Sequence, residues 1–411
     1  MAPTLSVIAA DEVRSAAGAA PQSPAGAQGQ ARLRLLLLTV GLGIGGTEEQ
    51  VKELAVRLDR RRYDVTVCAL KGDGAIAQEL RALGLPVVLL EGKGRGDVSV
   101  LYRLYRLIRT LRPDLVHAFL GPANLGAALV GRLLPEPILV WSYRDLDIWR
   151  RGLHWMVDRW AVRRAAAVTC CSDAVRRFVM QHMGLPPERI TTIHNGVDRA
   201  RFDAPAKVGR EQLGLRAQLP VVGTVCRLDE PKKGLAVLLQ AMRLASDRGD
   251  APAWQLVIVG EGPAREGLTQ LSERLGLADR VIFAGSRRDV AAILPLLDLF
   301  VCPSLYEGFG IAIVEAMMAG RPVVASSVGG ITEIVRSGDT GLLVPPGDPA
   351  ALAGAIQDLL RQPELAARLG REGKRAATEF SVDTMVERHQ ALYESLVGAA
   401  GSRQAMSQER R

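Results

Sequence analysis

Short apolar runs alternate with amphipathic segments along almost the whole chain, and each run has the length of a buried strand. In the first half these runs fall at 33–40, 64–70, 86–90, 114–118, 138–142, 167–171 and 190–194. Segments such as Glu48 to Leu58 and Val98 to Leu111 fill the gaps with apolar residues at helical spacing. A second series follows the irregular stretch 199–219, with runs at 220–225, 255–259, 280–284, 298–302, 322–325 and 342–344. Strands and helices in alternation predict βαβ units and parallel sheets. Two such series predict an α/β protein of two Rossmann-like domains facing across a cleft, with ligands at the carboxyl ends of the strands.

Length agrees, since 411 residues exceed what one core supports. The expected divisions are a first domain over 32–200 and a second over 201–380. A last helical segment, 381–397, is expected to return to one of the two, with the first domain as the candidate. Residues 1–31 are rich in Ala, Gly, Pro, Ser and Gln and carry Asp11 and Glu12 where a signal peptide needs a basic start. They read as a disordered tail, as do 398–411.

Composition narrows the partners. The formal charge of +8 favours nucleotides, phospholipid headgroups or polyphosphates. The chain lacks a basic stripe interleaved with aromatics, which sets nucleic acid aside. Five cysteines, with no C-x-x-C pair or metal-ligand spacing, read as core thiols of a reduced compartment. Leu33 to Val40, the most apolar stretch, is too short to span a bilayer, so a soluble protein or one resting on a membrane surface is expected.

The loops after the strands carry the candidate chemistry. Glu307-Gly308-Phe309-Gly310-Ile311 leads into a helix that contains Glu315. Bare backbone at a helix start suits an anion, and two carboxylates nearby suit the hydroxyls of a polar ligand. Arg227-Leu228-Asp229-Glu230-Pro231-Lys232-Lys233-Gly234 follows another strand. Arg227 and Lys233 there suit a diphosphate, whereas Lys232 reads as a solvated loop charge. Gly260-Glu261-Gly262 is a glycine turn able to border a nucleobase. Gly41-Leu42-Gly43-Ile44-Gly45-Gly46 matches G-x-G-x-x-G, but the second strand ends at Lys71 with no acid for an adenosine ribose, which argues against a dinucleotide. Gly45 and Gly46 instead make room for a substrate or diphosphate. His117 and Asn124 follow the fourth strand run. Arg144 and Asp145-Leu146-Asp147 follow the fifth, and Asp-x-Asp is a weak metal candidate that the cations Arg227 and Lys233 make unnecessary. His194-Asn195-Gly196-Val197-Asp198 reads as a turn at the domain boundary.

With Gly45-Gly46, His117, Asn195 to Asp198, Arg227 to Gly234, Gly260 to Gly262 and Glu307 to Glu315 in order over 33–397, the chain resembles the retaining GT-B glycosyltransferases of sequence family 4. The Arg227 to Gly234 loop is especially similar to that of phosphatidylinositol mannosyltransferases. The resemblance implies a hexosyltransferase that moves a sugar from a nucleoside diphosphate to a sugar, lipid-linked sugar or other hydroxyl acceptor with retention, without a metal or other cofactor, in envelope glycan or glycolipid biosynthesis. It implies a cytoplasmic enzyme in peripheral contact with an anionic membrane. It gives Arg227 and Lys233 to the diphosphate, Glu315 to the ribose, and Glu307 with the Gly308 to Gly310 backbone, Phe309 and Ile311 to the donor sugar. Gly45, Gly46, Asn124 and Arg144 go to the acceptor or diphosphate loop, and His117 to the reacting sugar. Phe119 stands where many relatives carry a second histidine. An epimerase of the same fold and a non-catalytic nucleotide-sugar-binding protein are the competing readings.

Overall fold

The computed structural model describes residues 32–94, 97–148, 150–203, 208–247 and 253–409. The expected tail 1–31 lies outside them. The first domain contains β1 (Leu33–Thr39), α1 (Gly46–Arg57), β2 (Tyr63–Ala69), β3 (Val87–Leu89), β4 (Leu115–Phe119), β5 (Ile138–Tyr143), α2 (Gly152–Val162), β6 (Ala167–Cys170), α3 (Asp173–Met183) and β7 (Ile190–Thr192). Its seven strands are ordered β3-β2-β1-β4-β5-β6-β7 and pair in parallel throughout.

The second domain contains β8 (Val221–Val225), α4 (Leu235–Asp247), β9 (Gln255–Val259), β10 (Val281–Gly285), β11 (Leu299–Cys302), α5 (Ile311–Met318), β12 (Val323–Ser326) and β13 (Leu342–Val344). Its six strands are ordered β10-β9-β8-β11-β12-β13, again parallel.

Helices cover both faces of each sheet, which explains the unbroken apolar runs. In β1, Leu35 and Leu37 enter one core while Leu36 and Leu38 enter the core on the opposite face. Val221 and Val222 of β8 divide in the same way.

The chain crosses between domains twice, at adjacent points. Val197 N donates to Phe380 O at 2.9 Å, and Val382 N donates to Val197 O at 3.1 Å. Gly196 is needed there, because a Cβ on it would lie 2.5 Å from Val382 Cα. The last helix, α6 (Val382–Glu409), then returns to the first domain. Its Val382, Met385, Val386 and Tyr393 share a core with Leu37, Leu115 and Phe119. It also outruns the expected end at 397. Residues 398–409, read as a tail, continue the helix because that alanine-containing stretch holds no proline to stop it.

Candidate active site

Strand ends from both sheets open on one cavity of about 850 Å³ between the domains. The second-domain wall is cationic, with Arg227, Lys232, Lys233, Arg287 and Arg288. Gly234, at φ +62°, lets the β8 loop lie against the β11 loop, since a Cβ there would sit 2.1 Å from Pro303 O. That approach brings Lys233 Nζ to 2.5 Å from Glu307 Oε2, to which Ser304 Oγ also donates at 3.4 Å. Burial alone would lower the pKa of the Lys233 ammonium; the Glu307 carboxylate outweighs it and holds the group raised.

Gly310 caps α5 at φ +108°, a conformation that favours glycine. The first turn of α5 therefore begins at the cavity, with Gly310, Ile311, Ala312 and Ile313 lining it. One turn on, Glu315 faces the same space, 3.6 Å from Arg201 Nη1 and with a side chain 14% exposed. Burial pushes its carboxyl up to about 7, against the pull of Arg201 and with a further push from Glu49.

The opposite wall comes from the first domain: Gly45, Gly46, Glu48, Arg144, Asp145 and Asn195. Burial raises the Glu48 carboxyl, while Arg227 of the second-domain wall and Arg144 of its own wall pull the other way. Arg144 Nη2 donates to Asn195 Oδ1, and its Nε is buried with no hydrogen-bond partner among the described residues. Its pKa is lowered by that burial.

Arg227, Lys233, Gly260, Glu307, Phe309, Gly310, Ile311, Glu315, Gly45, Gly46 and Arg144 thus share one cavity. Four other expected residues lie off its lining. Gly262 lets two loops pack, as a Cβ would be 2.4 Å from Leu228 O. Gly308 forms the interdomain contact: its carbonyl accepts from Ser172 Oγ at 2.6 Å, and a Cβ would meet Arg144 O at 2.6 Å. Asn124 is buried and donates to Ser142 O at 3.2 Å.

His117, read as a catalytic candidate, is fully buried in the first-domain core. Its Nδ1 lies 2.7 Å from Tyr393 Oη and its Nε2 3.4 Å from Thr169 Oγ1, while burial and then His389 lower its pKa. The physical reason is α6, which covers β4 from a point 276 residues later in the chain. Lys232 is corrected in the other direction. Far from a free loop charge, it forms an ion pair across the cleft with Asp145, whose carboxyl burial raises against the pull of that lysine. Asp147 turns away to Arg150 Nε at 2.9 Å, so the two acids of Asp-x-Asp have separate cationic partners. Among the described residues no group of three or more His, Cys, Asp or Glu is placed to hold a metal ion. Glu48 and Arg201 escaped the sequence reading, and Asp145 was read only as half of a weak metal-binding Asp-x-Asp; an acidic start to α1 beside Gly45 was the available signal for Glu48.

Two parallel-sheet, Rossmann-like domains on either side of one cleft give the chain the GT-B fold. A solved structure of HepE from Anabaena, in complex with UDP-glucose, superposes with a TM-score of 0.78 at 28% identity, covering 89% of this chain and 100% of that one. Residues 44–201 match the model of Glycosyltransferase Family 4, and residues 219–362 match that of Glycosyl transferases group 1. A 2-deoxystreptamine N-acetyl-D-glucosaminyltransferase of Streptomyces fradiae is 31% identical over 78% of this chain and 84% of its own length. A phosphatidyl-myo-inositol mannosyltransferase of Mycobacterium leprae is 35% identical over 56% of this chain and 59% of its own. The chain belongs to the glycosyltransferases of family 4 and group 1, with a family 4 first domain and a group 1 second domain. Among the described residues no helix is long and apolar enough to cross a membrane.

Proposed function

We propose that this chain transfers a hexose from a nucleoside diphosphate to a hydroxyl acceptor with retention of anomeric configuration. The observation that carries the reading is the Lys233–Glu307 pair at 2.5 Å, placed on one cavity with Arg227, Glu315 and the start of α5. The donor diphosphate lies against Arg227, Lys233 and the α5 amides, and Glu315 accepts from the ribose hydroxyls. Glu307 and the loop backbone hold the sugar. As the sugar departs, negative charge grows on the phosphate, and the cations already aimed at it stabilise the transition state. Those side chains supply the charge a metal would bring, so the reaction is metal-independent. The acceptor enters from the wall of Gly45, Gly46, Glu48 and Arg144 and attacks on the face the phosphate leaves. A phosphate oxygen takes its proton.

The HepE complex supports a uridine diphosphate hexose as the donor to try first. The likeness to the mannosyltransferase supports a role in envelope glycolipid or glycan synthesis. The +8 charge supports peripheral contact of a cytoplasmic enzyme with an anionic membrane. Incubation with a panel of nucleotide sugars, followed by proton NMR of the anomeric signal, tests the reading. Acceptor-dependent product of the donor's own configuration is expected. Inverted product, or epimerised donor formed without acceptor, overturns it.

A further inference from the structure

We infer that α2 is a membrane-docking helix, which lays the first domain on an anionic lipid surface beside the cleft. This helix has two apolar faces, and only one is spent on folding. Trp155, Ala161 and Val162 turn inward and are buried, as does Asp158, the helix's single acid, which is paired with Arg150. Leu153, Met156 and Trp160 turn outward and are 68%, 60% and 46% exposed. At 3.6 residues per turn these three fall within about 60° of arc, a continuous outward stripe. Ile148, just before the helix, and Leu133 are 56% and 71% exposed. Single exposed apolar residues need no explanation, whereas three on one face of one helix call for one.

The charge around the stripe selects its occupant. Arg151 and Arg163, at the two ends of α2, are exposed, as is Arg159. Arg132 stacks on Trp160 at 3.6 Å from the ring centroid and donates to Trp160 O at 2.9 Å, which orients the indole. No acid of the helix is exposed. Apolar side chains with an indole, flanked by arginines, match the boundary between acyl chains and anionic headgroups. A second copy fits poorly, because a two-fold interface would set these arginines against themselves. The placement also serves the reaction. Arg144 and Asp145 line the cavity, and α2 begins seven residues after Asp145. Docking would hold the acceptor side of the cleft at the lipid surface.

This inference names the surface behind the membrane contact proposed above, and its test contains no sugar donor, so its failure leaves the transferase reading standing. The full chain is sedimented with phosphatidylcholine vesicles with and without phosphatidylglycerol at low salt. Binding that requires phosphatidylglycerol is expected. The variant Leu153→Ser/Met156→Ser/Trp160→Ser should bind at least about tenfold less. Arg151→Gln/Arg163→Gln should lose about fivefold per arginine and show a weaker salt dependence. All replaced side chains are exposed, so circular dichroism melts should match the wild type. Brominated lipid should quench the fluorescence of the wild type more than that of Trp160→Phe. The inference is overturned if the chain ignores both vesicles, if the serine variant binds as well as the wild type, or if the wild type is a dimer that the serine variant splits.

Discussion

At the scale of residues, the proposed chemistry centres on the Lys233–Glu307 pair. Their side chains are 19% and 13% exposed, so each loses more than a surface ion pair would when its partner is removed. Glu307→Ala should raise the barrier to transfer by about 3 kcal/mol or more, beyond a hundredfold in turnover. Lys233→Ala and Arg227→Ala should each raise it by about 2 to 4 kcal/mol. Melting curves separate these losses from unfolding. Near-normal turnover of Glu307→Ala would refute its assignment.

Glu315 adds a pH dependence whose sign follows from its raised pKa. Unfolded, the carboxyl ionises near 4.5; folded, near 7. The folded chain holds the proton more tightly, so this contribution to stability is complete below about pH 4.5 and is lost as pH rises to about 7. The difference amounts to about 3 kcal/mol. Denaturant titrations at about pH 5 and pH 7 should therefore show wild type losing stability relative to Glu315→Gln. In the proposed complex the ribose hydroxyls donate to the ionised form, so nucleotide affinity of the wild type should rise over about pH 6 to pH 8 while that of the glutamine variant stays flat.

Among the elements, the strands were legible and the contacts between distant elements were not. A parallel strand covered on both faces reads as an apolar run, and β1 shows why, with its leucines dividing between two cores. The shared cavity position of Arg227, Lys233, Glu307 and Glu315 was legible because the loops and helix that carry them follow strand ends, where such sheets open on a cleft. His117 also follows a strand, yet it is buried by Tyr393 from α6, a contact that no local pattern encodes. The Lys232–Asp145 pair was hidden for the same reason, since its partners lie in different domains. Tyr393→Ala should cost about 3 to 5 kcal/mol by opening a cavity in the first-domain core. Tyr393→Phe removes only the His117 hydrogen bond, at about 1 to 3 kcal/mol. Urea titrations of both variants check that α6 belongs to this core. Gly308→Ala probes the domain contact, because its Cβ would meet Arg144 O at 2.6 Å. It should lower transferase activity without a matching loss of amide protection in the strands of either sheet of the intact chain, read by hydrogen exchange.

At the scale of the whole molecule, both domains build the cavity at once. The second supplies the cations and α5, and the first supplies Glu48, Arg144 and the glycine turn opposite. Fixed contacts hold the walls together. Glu333 of the second domain accepts from Asp173 N at 2.8 Å and Ala174 N at 2.7 Å, capping α3 of the first. The most direct measurement of the account is calorimetric titration of UDP, GDP and ADP into the wild type and into Lys233→Ala. At least one diphosphate should bind the wild type and bind the variant about thirtyfold more weakly, a difference of about 2 kcal/mol, while the parent nucleoside binds both alike. Equal binding of every diphosphate to both proteins, or to neither, would contradict the account.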